Sequence, residues 1–231
     1  MSILYVQELP GLLCRMAEKG DLEKVKQIFK CVDQESICGN EMGVTLSRFK
    51  AWNEPFQRQN PRLVDTSSGA NGKTPLILAA ENGHIDVCDY LITHQMANLK
   101  ARDNNCNSAL IHASWNNQIE VTKLIVNHSG NIRLQGASHA AYLAAQNGHL
   151  EVLKVLVEKD EAVVELTWEL GQTPLIVAST HGRFDVCKYL ITRKRTDVNK
   201  RDRFGYSALD IAVRRKYSDI VNILLNTEVK E

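Results

Sequence analysis

The sequence predicts an all-α solenoid. Short helix–turn–helix units stack side by side, and an N-terminal unit is set off from the others by an insertion. Three observations predict this. The stretch TPLILAAENGHIDVCDYL, beginning at Thr74, returns as TPLIVASTHGRFDVCKYL at Thr173, 99 positions later. The interval and the C-terminal end hold further copies: SALIHASWNNQIEVTKLI from Ser108, HAAYLAAQNGHLEVLKVL from His139 and SALDIAVRRKYSDIVNIL from Ser207. Successive copies therefore start 34, 31, 34 and 34 residues apart. Finally, each copy carries two short helical patterns whose apolar stripes a lone unit cannot bury, so copies must stack on one another.

In chain order, residues 8–33 hold a weaker copy, GLLCRMAEKGDLEKVKQIF, with Gly20 aligned to Gly83. Residues 34–71 are an insertion in which Pro55, Pro61 and a Ser/Gly run mark loop. Phe49, Trp52 and Phe56 stand there at helical spacing and are expected to pack the insertion onto the neighbouring repeat. Residues 72–231 hold the five clear copies. Thr74, Ser108, Thr173 and Ser207 are N-caps whose hydroxyls accept a bond from a free backbone N–H. Pro75 and Pro174 take the first helical position, where a missing N–H costs nothing. Gly83, Gly148 and Gly182 end that helix in the left-handed conformation, and Asn117 fills the slot in the second copy. A second helix follows, with Ile85, Val87, Cys88, Leu91 and Ile92 on one stripe, then a polar loop such as RDNNCN.

The pattern resembles the ankyrin repeat, which has a period of 33 and the signature T-P-L-H-x-A. Here the signature reads TPLILA and TPLIVA, with Ile77 and Ile176 in place of the histidine. The resemblance is strong over 72–231 and weak over 8–33. Two departures stand out. The copy containing QGASHAAYLAAQ is about three residues short, which shortens its finger, and Lys216 replaces the helix-ending glycine of the last unit. The resemblance implies helix–turn–helix units with β-turn fingers and a function in protein binding, since such stacks are seldom catalytic. It also implies a structural hydrogen-bonding role for His84 and His149, which follow the turn glycine.

Composition narrows the function classes. A formal net charge of +1, with 44% hydrophobic and 24% charged residues, reads as a globular protein without a global bias toward nucleic acid or membrane. The six cysteines form no CxxC pair and no zinc-type spacing with histidines. The N-terminus lacks the pattern of a secretory signal, and no apolar run is long enough to span a bilayer. A cytoplasmic or nuclear monomer without cofactor or metal is expected. The stretch SSGANGKT resembles a phosphate-binding loop, but Ser67 occupies its first glycine position and no buried strand precedes it. Cys88 and Cys187 share a slot on the apolar stripe, as small buried hydrophobes do. No nucleophile has a recognisable histidine and acid partner, so no enzyme is expected.

The resemblance further implies a partner-binding concave face, built from the end of each first helix and from the fingers. Carried over by position, this face contains Asn105, Asn107, Trp115, Asn116, Asn147, Gln172, His181, Arg203, Phe204, Tyr206, Arg214 and Arg215. Two readings stay open for Trp115: an interface anchor, or a cover for the shortened finger of the next unit. Residues 193–216 hold nine Lys/Arg against three Asp. That patch reads either as the solvated face of a terminal repeat or as a dock for an acidic protein segment. Phosphate or nucleic-acid binding through it is the alternative, as is a regulatory or effector fragment of a larger assembly. Nucleic acid is the poorer partner because the patch is short.

Overall fold

The structure is a computed structural model that describes residues 8–33, 63–67, 70–130 and 136–228. Among them, twelve α-helices follow one another in pairs. They are α1 (Glu8–Lys19) and α2 (Leu22–Asp33), α3 (Pro75–Asn82) and α4 (Ile85–Thr93), α5 (Ala109–Trp115) and α6 (Ile119–His128). The pairs continue with α7 (Ala137–Asn147) and α8 (Leu150–Lys159), α9 (Pro174–Thr180) and α10 (Phe184–Leu190), α11 (Ala208–Arg215) and α12 (Ser218–Glu228). The described residues contain no β-strand. Phe49, Trp52, Phe56, Pro55 and Pro61 lie outside the described residues, as does residue range 131–135 at the shortened finger.

The local signals act as their chemistry dictates. Thr74 and Thr173 sit in extended backbone, and their hydroxyls accept from Ile77 N and Ile176 N, each at 3.3 Å. Ser207 forms a reciprocal cap: its hydroxyl accepts from Asp210 N, and the Asp210 carboxylate accepts from Ser207 N. The slot after the first helix is left-handed whatever residue fills it. Gly83 has φ 78°, Asn117 58° and Lys216 61°. Glycine enters this region without penalty, whereas lysine carries a Cβ into it.

The chain divides into two compact units, residues 1–109 and 110–231. In the first, α1 packs on α3 and α2 on α4, giving two layers of helices. In the second, α7, α9 and α11 form one layer and α6, α8, α10 and α12 the other. The core lies between the layers, around Leu13, Ile28, Leu76, Ile77 and Leu91 in one unit and Ile125, Leu153, Leu156, Leu175 and Ile176 in the other. Each fully buried aliphatic side chain of this kind contributes about 1.5–3 kcal/mol relative to exposure. The turn Leu63–Asp65 lies within the 34–71 segment, yet it packs on α3 with Leu63 and Val64 buried. Asp65 accepts from Asn98 N at 2.7 Å, as Glu165 accepts from Asp197 N at 2.7 Å in the other unit.

The residue after each turn ties successive pairs together within a unit. His84 Nε2–H donates to Glu18 O at 2.8 Å, and His149 Nε2–H donates to Trp115 O at 3.0 Å. Arg183 does the same with its Nε–H to Gln146 O at 2.9 Å. These bonds satisfy carbonyls that a helix end leaves unpaired, which is the structural role expected of His84 and His149.

Candidate functional site

The fingers are hairpin turns with one shared hydrogen-bond pattern. Asp103 N donates to Asn107 O and Cys106 N to Asp103 O; Asp202 N donates to Tyr206 O and Gly205 N to Asp202 O. Trp168 N likewise donates to Gln172 O, and Gly171 N to Trp168 O. Two of these turns are braced by a buried carboxylate. Asp103 Oδ1 accepts from Asn105 N and Asn107 N at 2.9 and 2.8 Å, and Asp202 Oδ1 accepts from Phe204 N and Tyr206 N at 2.9 and 3.0 Å. An arginine closes each turn from outside: Arg102 reaches Cys106 O and Arg201 reaches Gly205 O, each at 2.6 Å. Adjacent fingers join tip to tip, through Asn104 N to Asn71 O at 3.0 Å in the first unit and Arg203 N to Leu170 O at 2.8 Å in the second.

Of the residues placed on the face by position, Asn105 and Asn107 belong to the first unit. Asn105 is exposed, whereas Asn107 is buried in its turn, so of these two only Asn105 lies on the open surface of the finger. The other ten lie in the second unit. Trp115, the last residue of α5, is 49% exposed. Asn116 is exposed and donates from Nδ2 to His112 O, while Asn147 is half-buried at the end of α7. His181 is exposed, with Nδ1 at 3.1 Å from Val177 O and Nε2 at 3.4 Å from Gln146 Nε2.

The structure brings three of them into one cleft. Gln172, Arg214 and Arg215, together with Thr180 and Ile211, line a space of about 440 Å³ between the finger, α9 and α11. The Arg214 guanidinium lies over the Tyr206 ring, 5.5 Å from its centroid. Phe204, on the same finger as Tyr206, is 66% exposed. Pairing sorts the cations of residues 193–216. Lys200 pairs with Glu165 at 3.3 Å and Arg201 with Asp210 at 2.8 Å, while Arg203, Arg214 and Arg215 have no carboxylate partner among the described residues. Part of the positive charge left over is therefore at the cleft and the fingertip, and Arg193, Lys194, Arg195 and Lys216 likewise show no carboxylate partner among the described residues.

Position in the repeat places Thr180 beside His181 at the end of its first helix, but it did not single out Ile211 as a cleft residue, nor the aromatic wall beside the fingers. His139 of α7 and Trp168 stack at 4.1 Å with an interplanar angle of 3°. The signal available was their register: His139, Tyr142 and Gln146 fall at helical spacing on the face of α7 that the apolar residues leave free. Burial pushes the Tyr142 hydroxyl up in pKa, and the neighbouring Glu169 adds to the shift.

The other motifs are occupied structurally. Lys73 pairs with Glu81 at 2.6 Å, and the Thr74 hydroxyl caps α3, so both residues that resembled a phosphate loop serve the fold. Burial raises the thiol pKa of Cys88 to about 12. It raises that of Cys187 to about 11, partly offset by the Ser179 hydroxyl. Among the described residues, no cluster of His, Cys, Asp or Glu could hold a metal ion, and no helix is long and apolar enough to cross a membrane.

Comparison with known proteins gives the same picture. The family model for ankyrin repeats (three copies) matches residues 13–136 and 141–231. The chain is 29% identical over 149 residues to Ankyrin repeat and SAM domain-containing protein 6 of Rattus norvegicus, covering 63% of this chain and 17% of that protein. It is 31% identical over 218 residues to the Transient receptor potential cation channel subfamily A member 1 homolog of Caenorhabditis elegans, covering 80% and 18%. The chain thus spans less than a fifth of these curated relatives. A chain of the complex between the Bd0816 predatory endopeptidase and the immunity protein Bd3460 from Bdellovibrio bacteriovorus superposes with a TM-score of 0.68. That alignment covers 93% of this chain and 96% of that one at 21% identity, a likeness of fold. With capped first helices, left-handed turns, finger hairpins and a family match over both spans, the chain belongs to the ankyrin-repeat family.

Proposed function

We propose that the chain is a non-catalytic protein-binding module that takes its partner on the concave face of first helices and fingers. Ankyrin repeats generally mediate protein–protein interaction, and the surface chemistry supports that role here. The observation that carries the reading is the cleft of Gln172, Thr180, Ile211, Arg214 and Arg215, whose two arginines have no carboxylate partner among the described residues. An acidic protein segment fits it by charge. Trp115 is the anchor of this reading, because large exposed aromatics dominate interface hot spots. Arg203, Arg214 and Arg215 steer the encounter, because rim charges act mainly on association rate and are screened by salt. The module works as a monomer in the cytoplasm or nucleus, without cofactor. Nucleic acid is a weaker fit, since Lys200 and Arg201 are already neutralised in the fold.

Quantitative affinity capture tests this, using the wild-type chain, Trp115→Ala and Arg203→Glu/Arg214→Glu/Arg215→Glu as baits. For a captured partner, Trp115→Ala is expected to cost about 2 kcal/mol or more at every salt concentration. The triple reversal slows association chiefly at low salt. If both baits bind as wild type while Lys154→Glu and Lys188→Glu on the outer helices abolish capture, the partner uses the opposite face and the reading fails.

A further inference from the structure

Leu170 stands at the fingertip next to the cleft, and its conformation is costly. Its φ of 60° and ψ of 13° are left-handed, a region that side chains with a Cβ avoid. The Asp-braced turns give the contrast. Asp103 and Asp202 each brace their finger by accepting two backbone N–H groups, and Trp168 occupies that position in this one. Without a carboxylate to hold it, the turn takes a different path, which places Leu170 in the left-handed region. Nothing in the chain's own core rewards this, because the side chain is 44% exposed. Strained residues of this kind cluster where ligands are clamped.

Leu170 is also not isolated. Its carbonyl accepts from Arg203 N, the next residue is the exposed Phe204, and Tyr206 of the same finger lies under Arg214 of the cleft. An apolar ledge therefore adjoins a pair of arginines lacking carboxylate partners among the described residues. Resting on the proposed reading, we infer that this end of the chain recognises a two-part motif in an acidic protein segment. Arg214 and Arg215 take its carboxylates, and Leu170 with Phe204 takes a bulky apolar side chain of the same segment. Charge complementarity selects the occupant: a purely apolar segment leaves the arginines unpaired, and a purely acidic one leaves the ledge uncovered. Leu170 then determines specificity, while the arginines supply attraction.

A phage library of random dodecapeptides selected on the immobilised chain tests the inference. Wild type is expected to enrich Asp and Glu together with Leu, Ile or Phe in the same peptide. Arg214→Gln/Arg215→Gln loses the acidic preference. Leu170→Asn keeps the acidic preference and loses the apolar one, with a synthesised selected peptide binding about 10-fold more weakly. Asparagine tolerates the left-handed conformation, so Leu170→Asn is expected to fold at least as stably as wild type, which unfolding in urea checks. Acidic enrichment without an apolar preference, or an apolar preference that survives in Leu170→Asn, overturns the inference and leaves the proposed function standing. No enrichment on wild type, or enrichment unchanged in the arginine variant, overturns both at this site. Full displacement of the selected peptide by a single-stranded DNA 20-mer assigns the patch to nucleic acid and also overturns it.

Discussion

The finger slot shared by Cys106 and Gly205 isolates the cost of left-handed backbone. Cys106 has φ 62° and Gly205 has φ 82°, and the same two turn bonds surround them. The Cys106 side chain is exposed, so replacing it by glycine removes no packing. A Cβ added to Gly205 meets no heavy atom within 4 Å, so alanine there clashes with nothing. Only the backbone preference remains. It disfavours a residue with a Cβ by about 1–2 kcal/mol, and the greater freedom of glycine in the unfolded chain offsets about 0.5–1 kcal/mol of that. Cys106→Gly is therefore expected to stabilise by about 0.5–1 kcal/mol, and Gly205→Ala to destabilise by a similar amount. Gly130 is the control: a Cβ there also meets open space, and its φ lies outside the left-handed range. Gly130→Ala should accordingly be neutral or slightly stabilising. Urea unfolding followed by far-ultraviolet circular dichroism reads all three, provided the slope against denaturant is unchanged. If Cys106→Gly destabilises, or Gly205→Ala and Gly130→Ala shift the midpoint alike, left-handed strain is not what distinguishes these positions.

Three further outcomes are expected. Near pH 8 a maleimide should label Cys106 at once and spare Cys88 and Cys187 until the chain unfolds, because burial holds those thiols at about 12 and 11; peptide mass spectrometry reads the labelled sites. Asp202→Ala removes the acceptor of two backbone N–H groups and should destabilise by about 1.5–3 kcal/mol while loosening the finger that carries Phe204 and Tyr206; urea unfolding and amide exchange at residues 203–206 measure both effects. The Ser207 N–H and hydroxyl, with Arg201 beside them, hold the Asp210 carboxyl below the usual carboxylate range. A depressed folded pKa adds stability above the ordinary value of about 4, and that stability is lost as the pH falls through the lowered one. The gap in unfolding midpoint between wild type and Asp210→Asn should thus narrow as the pH drops from about 6 to about 3.

What the sequence revealed and what it hid follow from the range of the interactions. Caps and turn residues act within four positions, so Thr74, Thr173, Ser207, Gly83 and Asn117 announce the helices directly, and the repeat then places Gln172, Arg214 and Arg215 on a common face. Pairing across units is not local. Counting nine cations in residues 193–216 gives no hint that Lys200 is neutralised by Glu165, 35 residues earlier, or that Arg201 spends its charge on Asp210 and Gly205 O. Two of the nine cations are thus spent inside the fold, which the composition alone does not reveal. One long-range feature did leave a trace. Arg102-Asp103 and Arg201-Asp202 recur 99 positions apart, like the opening pair of copies, while the finger before Thr173 has Thr167-Trp168. Since the aspartate braces the turn, the finger with Trp168 in that position is expected to differ. The left-handed Leu170 is that difference, and it stands next to the charge the fold leaves unspent.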